Sequence, residues 1–127
     1  MTVVAAATVR VALFALDGTV SLPAVADTLA TWQGIVGGLI QFVVLAAPLP
    51  GAPRDELVAI INEEGLFTQP PSAWRWPAEA RAETGVPIHG PFVVARWTYD
   101  ADGDDHAAEL TRANLATIRR LFALHAV

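Results

Sequence analysis

The chain contains no cysteine, no lysine and only two serines, Ser21 and Ser72. The first absence removes disulfides, thiolate nucleophiles and cysteine-bound metals together, and it is compatible with a reducing compartment. The second places all eight basic charges on arginine. Beside so much alanine this fits a GC-rich coding bias, and it leaves local bidentate binding of phosphate or carboxylate open. Neither serine stands in a nucleophile-elbow context. Basic character is also scarce overall: the formal net charge is −5, which argues against general nucleic-acid affinity, where a basic face supplies most of the binding. His89, His106 and His125 lie far apart, and none has helical metal-ligand spacing with another His or Glu, so no metal site and no cofactor is expected.

Long uninterrupted apolar runs are missing too. Ile35 to Pro50 is too short and broken to span a bilayer as a helix. The apolar N-terminus, Met1 to Leu16, lacks a basic n-region and is interrupted by Arg10. A soluble, cytoplasmic chain without membrane contact is expected.

What remains is 127 residues, 54% apolar and 17% charged, enough for one hydrophobic core and one domain over 1–127. Thr8 to Leu16 reads as a strand ending at Asp17-Gly18, and Thr19 to Leu22 as a short return strand. Ser21 and Pro23 mark a helix start, with Val25, Leu29 and Trp32 at helical spacing and a stop by Gly34. Leu39 to Ala46 and Glu56 to Asn62 are apolar strands, separated by a Pro/Gly loop. Thr68 to Pro77 carries three prolines and reads as irregular, and Ala78 to Thr84 as a short helix stopped by Gly85. Pro91 to Tyr99 is a further strand. His106 to about His125 is an amphipathic helix, with Leu115, Ile118 and Phe122 on one face. Together these predict an α+β fold: an antiparallel or mixed sheet of four to five strands with two to three helices.

Several segments carry chemistry, each beside a plainer structural reading. In Gly34-Ile35-Val36-Gly37-Gly38 the backbone at Gly37 and Gly38 can approach an anion. The spacing matches no dinucleotide or P-loop fingerprint, however, and a helix C-cap leading into a close-packed strand explains it as well. Asn62-Glu63-Glu64-Gly65 offers paired carboxylates for acid–base work. The structural alternative is a strand-end turn, with Asn62 bonding its own backbone and Gly65 at positive φ. Trp74-Arg75-Trp76 can stack a base and hold a phosphate, with Trp32 and Trp97 completing an aromatic pocket, or can simply cover the core. Asp100, Asp102, Asp104 and Asp105 resemble a calcium loop, but Asp105 and Thr111 replace its required glycine and bidentate glutamate. A solvated turn with an N-cap for the last helix is simpler.

The order Gln33-Gly34-Ile35-Val36-Gly37-Gly38-Leu39-Ile40-Gln41, Asn62-Glu63-Glu64-Gly65, Pro70-Pro71 and Ile88-His89-Gly90 resembles the domain of unknown function 3846 family over about Leu29 to Val94. Gln41, Ser72 and Pro91 depart from the Glu, Asn and Asp usual there. The resemblance implies a phage, plasmid or bacterial setting and a role such as countering host defence; it implies no reaction. The expectation is a non-catalytic, homo-oligomeric binding protein for a small ligand, such as a nucleotide-type signal, or a host protein. Its candidate site is Gly37, Gly38, Asn62, Glu63, Glu64, Trp74, Arg75 and Trp76. The alternatives are a small enzyme using Glu63 or Glu64 as acid/base, and a purely protein-binding inhibitor.

Overall fold

The structure, a computed structural model, describes residues 7–125; the first six residues of the apolar N-terminal run lie outside them. In chain order it contains β1 (Thr8–Arg10), β2 (Ala12–Phe14), β3 (Val20–Ser21), β4 (Ala24–Ala26), α1 (Leu29–Val36), β5 (Ile40–Ala46) and β6 (Asp55–Asn62). Then come α2 (Gly65–Thr68), β7 (Pro71–Arg75), β8 (Pro87–His89), β9 (Phe92–Tyr99), β10 (Asp105–Ala108) and α3 (Arg112–Phe122).

The longest apolar strands occupy the centre. Phe92 to Ala95 are buried without a break, the pattern of a strand covered on both faces. One edge of β9 pairs with β6, from Asp55 opposite Thr98 to Ile60 opposite Val93. Its other edge is shared by β2 over Phe92–Val94 and β10 over Arg96–Tyr99. The result is a six-stranded antiparallel sheet in the order β3-β2-β9-β6-β5, with β10 also on β9 and β5 outermost. Two ribbons, β1-β4 and β7-β8, complete the strands.

Strand alternation divides the core in two. On one face Phe14, Leu45, Leu57 and Phe92 meet Ile88, Ile118 and Phe122 from β8 and α3. On the other, Val11, Val58, Ile60 and Val93 meet Trp32 and Val36 from α1. The fold is therefore α+β with three helices and a C-terminal amphipathic helix, as expected. The sheet has one strand beyond the expected range because β10 takes residues assigned to the last helix.

Local capping explains the other departures. α1 starts at Leu29, not near Pro23, because the Thr28 side chain accepts the Thr31 amide as an N-cap, and Val25 belongs to β4. It runs past Gly34 to Val36 and stops at Gly37, at φ +83. The single strand expected over Thr8 to Leu16 divides at Val11, whose amide donates to Pro23, so β1 and β2 enter different sheets. Ala78 to Thr84 forms turns instead of a helix. Thr68 to Pro77 includes a true strand, β7, paired irregularly with β8. α3 is capped by Thr111 and Asn114 in a reciprocal capping box rather than by an aspartate. Asp100 instead closes its own turn, its Oδ1 accepting the amides of Asp102 and Asp104.

Candidate ligand-binding groove

Four short segments far apart in sequence meet at one end of the sheet. The C-cap Gly37 donates to the Gln33 carbonyl at 2.9 Å, and Gly38 donates to the same oxygen at 3.2 Å. Asn62, buried at the end of β6, donates from Nδ2 to the Val36 carbonyl at 3.1 Å and accepts the Glu64 amide on Oδ1 at 2.8 Å. A Cβ on Gly38 would lie 3.1 Å from Asn62 Nδ2, and one on Gly65 would lie 3.0 Å from the His89 carbonyl. Close approach therefore favours glycine at position 65, and the positive φ expected for it is not found. The Gly90 amide donates to the Pro70 carbonyl at 2.8 Å. The Gly-Gly, Asn-Glu-Glu-Gly, Pro-Pro and His-Gly segments thus share one packing junction.

A groove of about 320 Å³ opens beside this junction. Its sheet wall is Gln41, Ile61, Asn62 and Glu63; Leu66 and Phe67 of α2 form a lip. Trp76, Glu83, Val86, Pro87 and His89 supply the opposite wall from the β7-β8 ribbon and its loop. His89 Nδ1 lies 2.9 Å from the Gln69 carbonyl. A carbonyl only accepts, so Nδ1 carries the proton and Nε2 of the neutral ring is left as an acceptor. Glu63 and Glu83 are exposed and form no ion pair among the described residues. The groove is apolar in its walls and rich in hydrogen-bond acceptors. Phe67, 87% exposed, stands open at its lip.

Of the residues singled out from sequence, Asn62, Glu63 and Trp76 line the groove. Gly38 supports it from behind Asn62, and Gly37 lies beside the Gln69 side chain. Glu64 is exposed and belongs to the turn, outside the lining. Trp74 packs edge-on against Phe14, with centroids 4.9 Å apart, and against Phe92 at 6.0 Å. Arg75 donates to the Gly85 carbonyl at 2.7 Å. Trp32 and Trp97 meet each other at 6.4 Å on the opposite face of the sheet, so the four tryptophans do not form one pocket. Glu83 and Phe67 are additions the sequence did not single out; Glu83 sits in the segment read as a helix.

A second depression, of about 570 Å³, lies at the far end of β6, lined in part by Arg54, Glu56, Arg81 and Tyr99. There the Tyr99 hydroxyl donates to Glu56 at 2.7 Å. That hydrogen bond, aided by partial burial and the nearby acids Glu56 and Asp105, pushes the phenol pKa up to about 12.

Fold and junction together define a small antiparallel α+β protein with helices on both faces of its sheet and a groove at one end. The chain belongs to the family described as Domain of unknown function (DUF3846), whose model matches residues 9–123. The match takes in the first strands and the last helix, beyond the Leu29 to Val94 span that carries the motifs. No curated protein and no solved structure matches the chain.

Proposed function

We propose that this chain is a binding protein whose groove takes a small ligand with a protonated amine or guanidinium on an apolar or planar body. The observation that carries this reading is the set of free acceptors, the Glu63 and Glu83 carboxylates and His89 Nε2, around the apolar surfaces of Trp76, Val86 and Pro87. A groove of this volume holds a small ligand of that kind, and charge-assisted hydrogen bonds to two carboxylates favour a cation. A phosphate-bearing ligand is less well served. The lining contains no arginine, and Arg75 is engaged with Gly85.

Binding is favoured over acid–base catalysis because Glu63 and Glu64 do not converge: only Glu63 faces the groove, and neither side chain has a hydrogen-bonding partner among the described residues that would orient it. A protein partner is the second reading, supported by the exposed Leu66 and Phe67. In the phage or plasmid setting we propose for it, either mode would sequester a signal or mask a host protein. Isothermal titration with tryptamine, agmatine and adenosine monophosphate tests the first reading. Saturable heat is expected with the two cations and is abolished in the Glu63→Gln/Glu83→Gln variant. Heat with the nucleotide alone, or with none of the three, contradicts it.

A further inference from the structure

The groove adjoins an open sheet edge. β5 is the outermost strand and pairs only with β6. The Val44 carbonyl accepts the Arg81 amide at 2.9 Å on the side away from β6. Because backbone groups alternate in direction along a strand, Phe42 and Ile40 also direct N–H and C=O outward. None of these groups has a partner among the described residues. Natural edges are usually blunted with charge or proline, yet Ile40-Gln41-Phe42-Val43-Val44-Leu45-Ala46 has neither.

The two faces beside this edge differ. Gln41 lines the acceptor-rich groove with Glu63 and Glu83. Ile40 and Phe42 line a depression of about 400 Å³ on the opposite face, with Leu29 and Trp97. Phe42 is 42% exposed and lies 4.8 Å from the Trp97 ring. The acids at that face are already engaged: Asp105 accepts the Trp97 indole N–H at 2.7 Å, and Asp27 accepts the Ala107 amide at 3.1 Å. One face therefore favours cations and the other apolar side chains.

We propose that the β5 edge binds an extended segment of a partner protein in which basic and apolar residues alternate. It adds as a further antiparallel strand beside Ile40 to Phe42. Its basic side chains enter the groove toward Glu63 and Glu83, and its apolar side chains cover Phe42 and Ile40. This inference rests on the cation-binding groove described above and names its occupant. A second copy of the chain fits less well, because β5 carries no cation to meet the two glutamates and the Arg81 contact at Val44 blocks a longer self-pairing.

Fluorescence polarisation with a labelled synthetic peptide alternating arginine and valine tests this. An isomer with the arginines and valines in separate blocks controls for charge. In an antiparallel pair, directly opposed residues share a face, so the valine amides are the ones bonded to Ile40 and Phe42. N-methylation of the valine amides is expected to abolish binding while methylation of the arginine amides is tolerated, and Glu63→Gln/Glu83→Gln weakens binding about tenfold or more. Equal binding by the block isomer, or equal tolerance of both methylation patterns, overturns strand addition. So does a dimer in sedimentation that Phe42→Glu dissolves, which would give the edge to a second copy. If tryptamine and agmatine still bind in those cases, the groove reading stands and only the strand proposal fails.

Discussion

At Asn62 one carboxamide holds two chain segments, because a primary amide donates and accepts at once. Its Nδ2 secures the end of α1 and its Oδ1 the turn that leads into α2. Asn62→Ala leaves the Val36 carbonyl and the Glu64 amide without this partner, so a loss of about 2 kcal/mol is expected in urea unfolding. A change below about 0.5 kcal/mol, the ordinary range for surface substitutions, contradicts this role. Tyr99 allows an equally local test because it is the only tyrosine. Its folded pKa of about 12 lies above the ordinary tyrosine value of 10.0. The folded state thus prefers the protonated phenol. That stabilisation is complete below the unfolded pKa and is lost as pH rises from 10.0 to about 12. Phenolate absorbance is expected to titrate near the upper value in the native protein and to move toward the ordinary tyrosine value in Glu56→Gln. Identical curves for the two proteins contradict the assigned hydrogen bond.

At the scale of elements, α3 depends on its cap. The Thr111 side chain accepts the Asn114 amide, and the Asn114 side chain accepts the Thr111 amide. Thr111→Ala is expected to cost about 1 kcal/mol in thermal or urea unfolding followed by circular dichroism; no measurable change contradicts the capping assignment. β5, β6 and β9 were legible in the sequence because apolar, β-branched runs mark buried strands, and Ile118 and Phe122 marked the buried face of α3. The start of α3 was not legible. Asp105 to Ala108 has little strand propensity of its own and is held by pairing with Arg96 to Tyr99, a tertiary contact that overrides local preference. β7 was hidden for a similar reason, since it opens on Pro71 and lies in a peripheral ribbon with irregular pairing. Of the site, Asn62 and Glu63 stood out as polar residues directly after an apolar strand. Phe67 and Glu83 reach the groove only through the packing of α2 and the ribbon loop.

At the scale of the whole molecule, helices cover both faces of the sheet and leave the β5 edge open beside an acceptor-rich groove. A chain of net charge −5 gathers Glu63 and Glu83 around apolar walls at one end, while Arg54 and Arg81 line the depression at the far end of β6. On the proposed reading a cationic ligand selects the first end, where no arginine stands among the lining residues, over the second, where arginines stand beside Asp55 and Glu56. The most direct measurement is the change in backbone amide resonances as tryptamine is added to the intact protein. Saturable shifts centred on Gln41, Glu63, Phe67 and His89, absent from Glu63→Gln/Glu83→Gln, are the predicted result. Shifts centred on Arg54, Arg81 and Tyr99, or no saturable shift at all, would contradict the assignment of this groove as a cation-binding site.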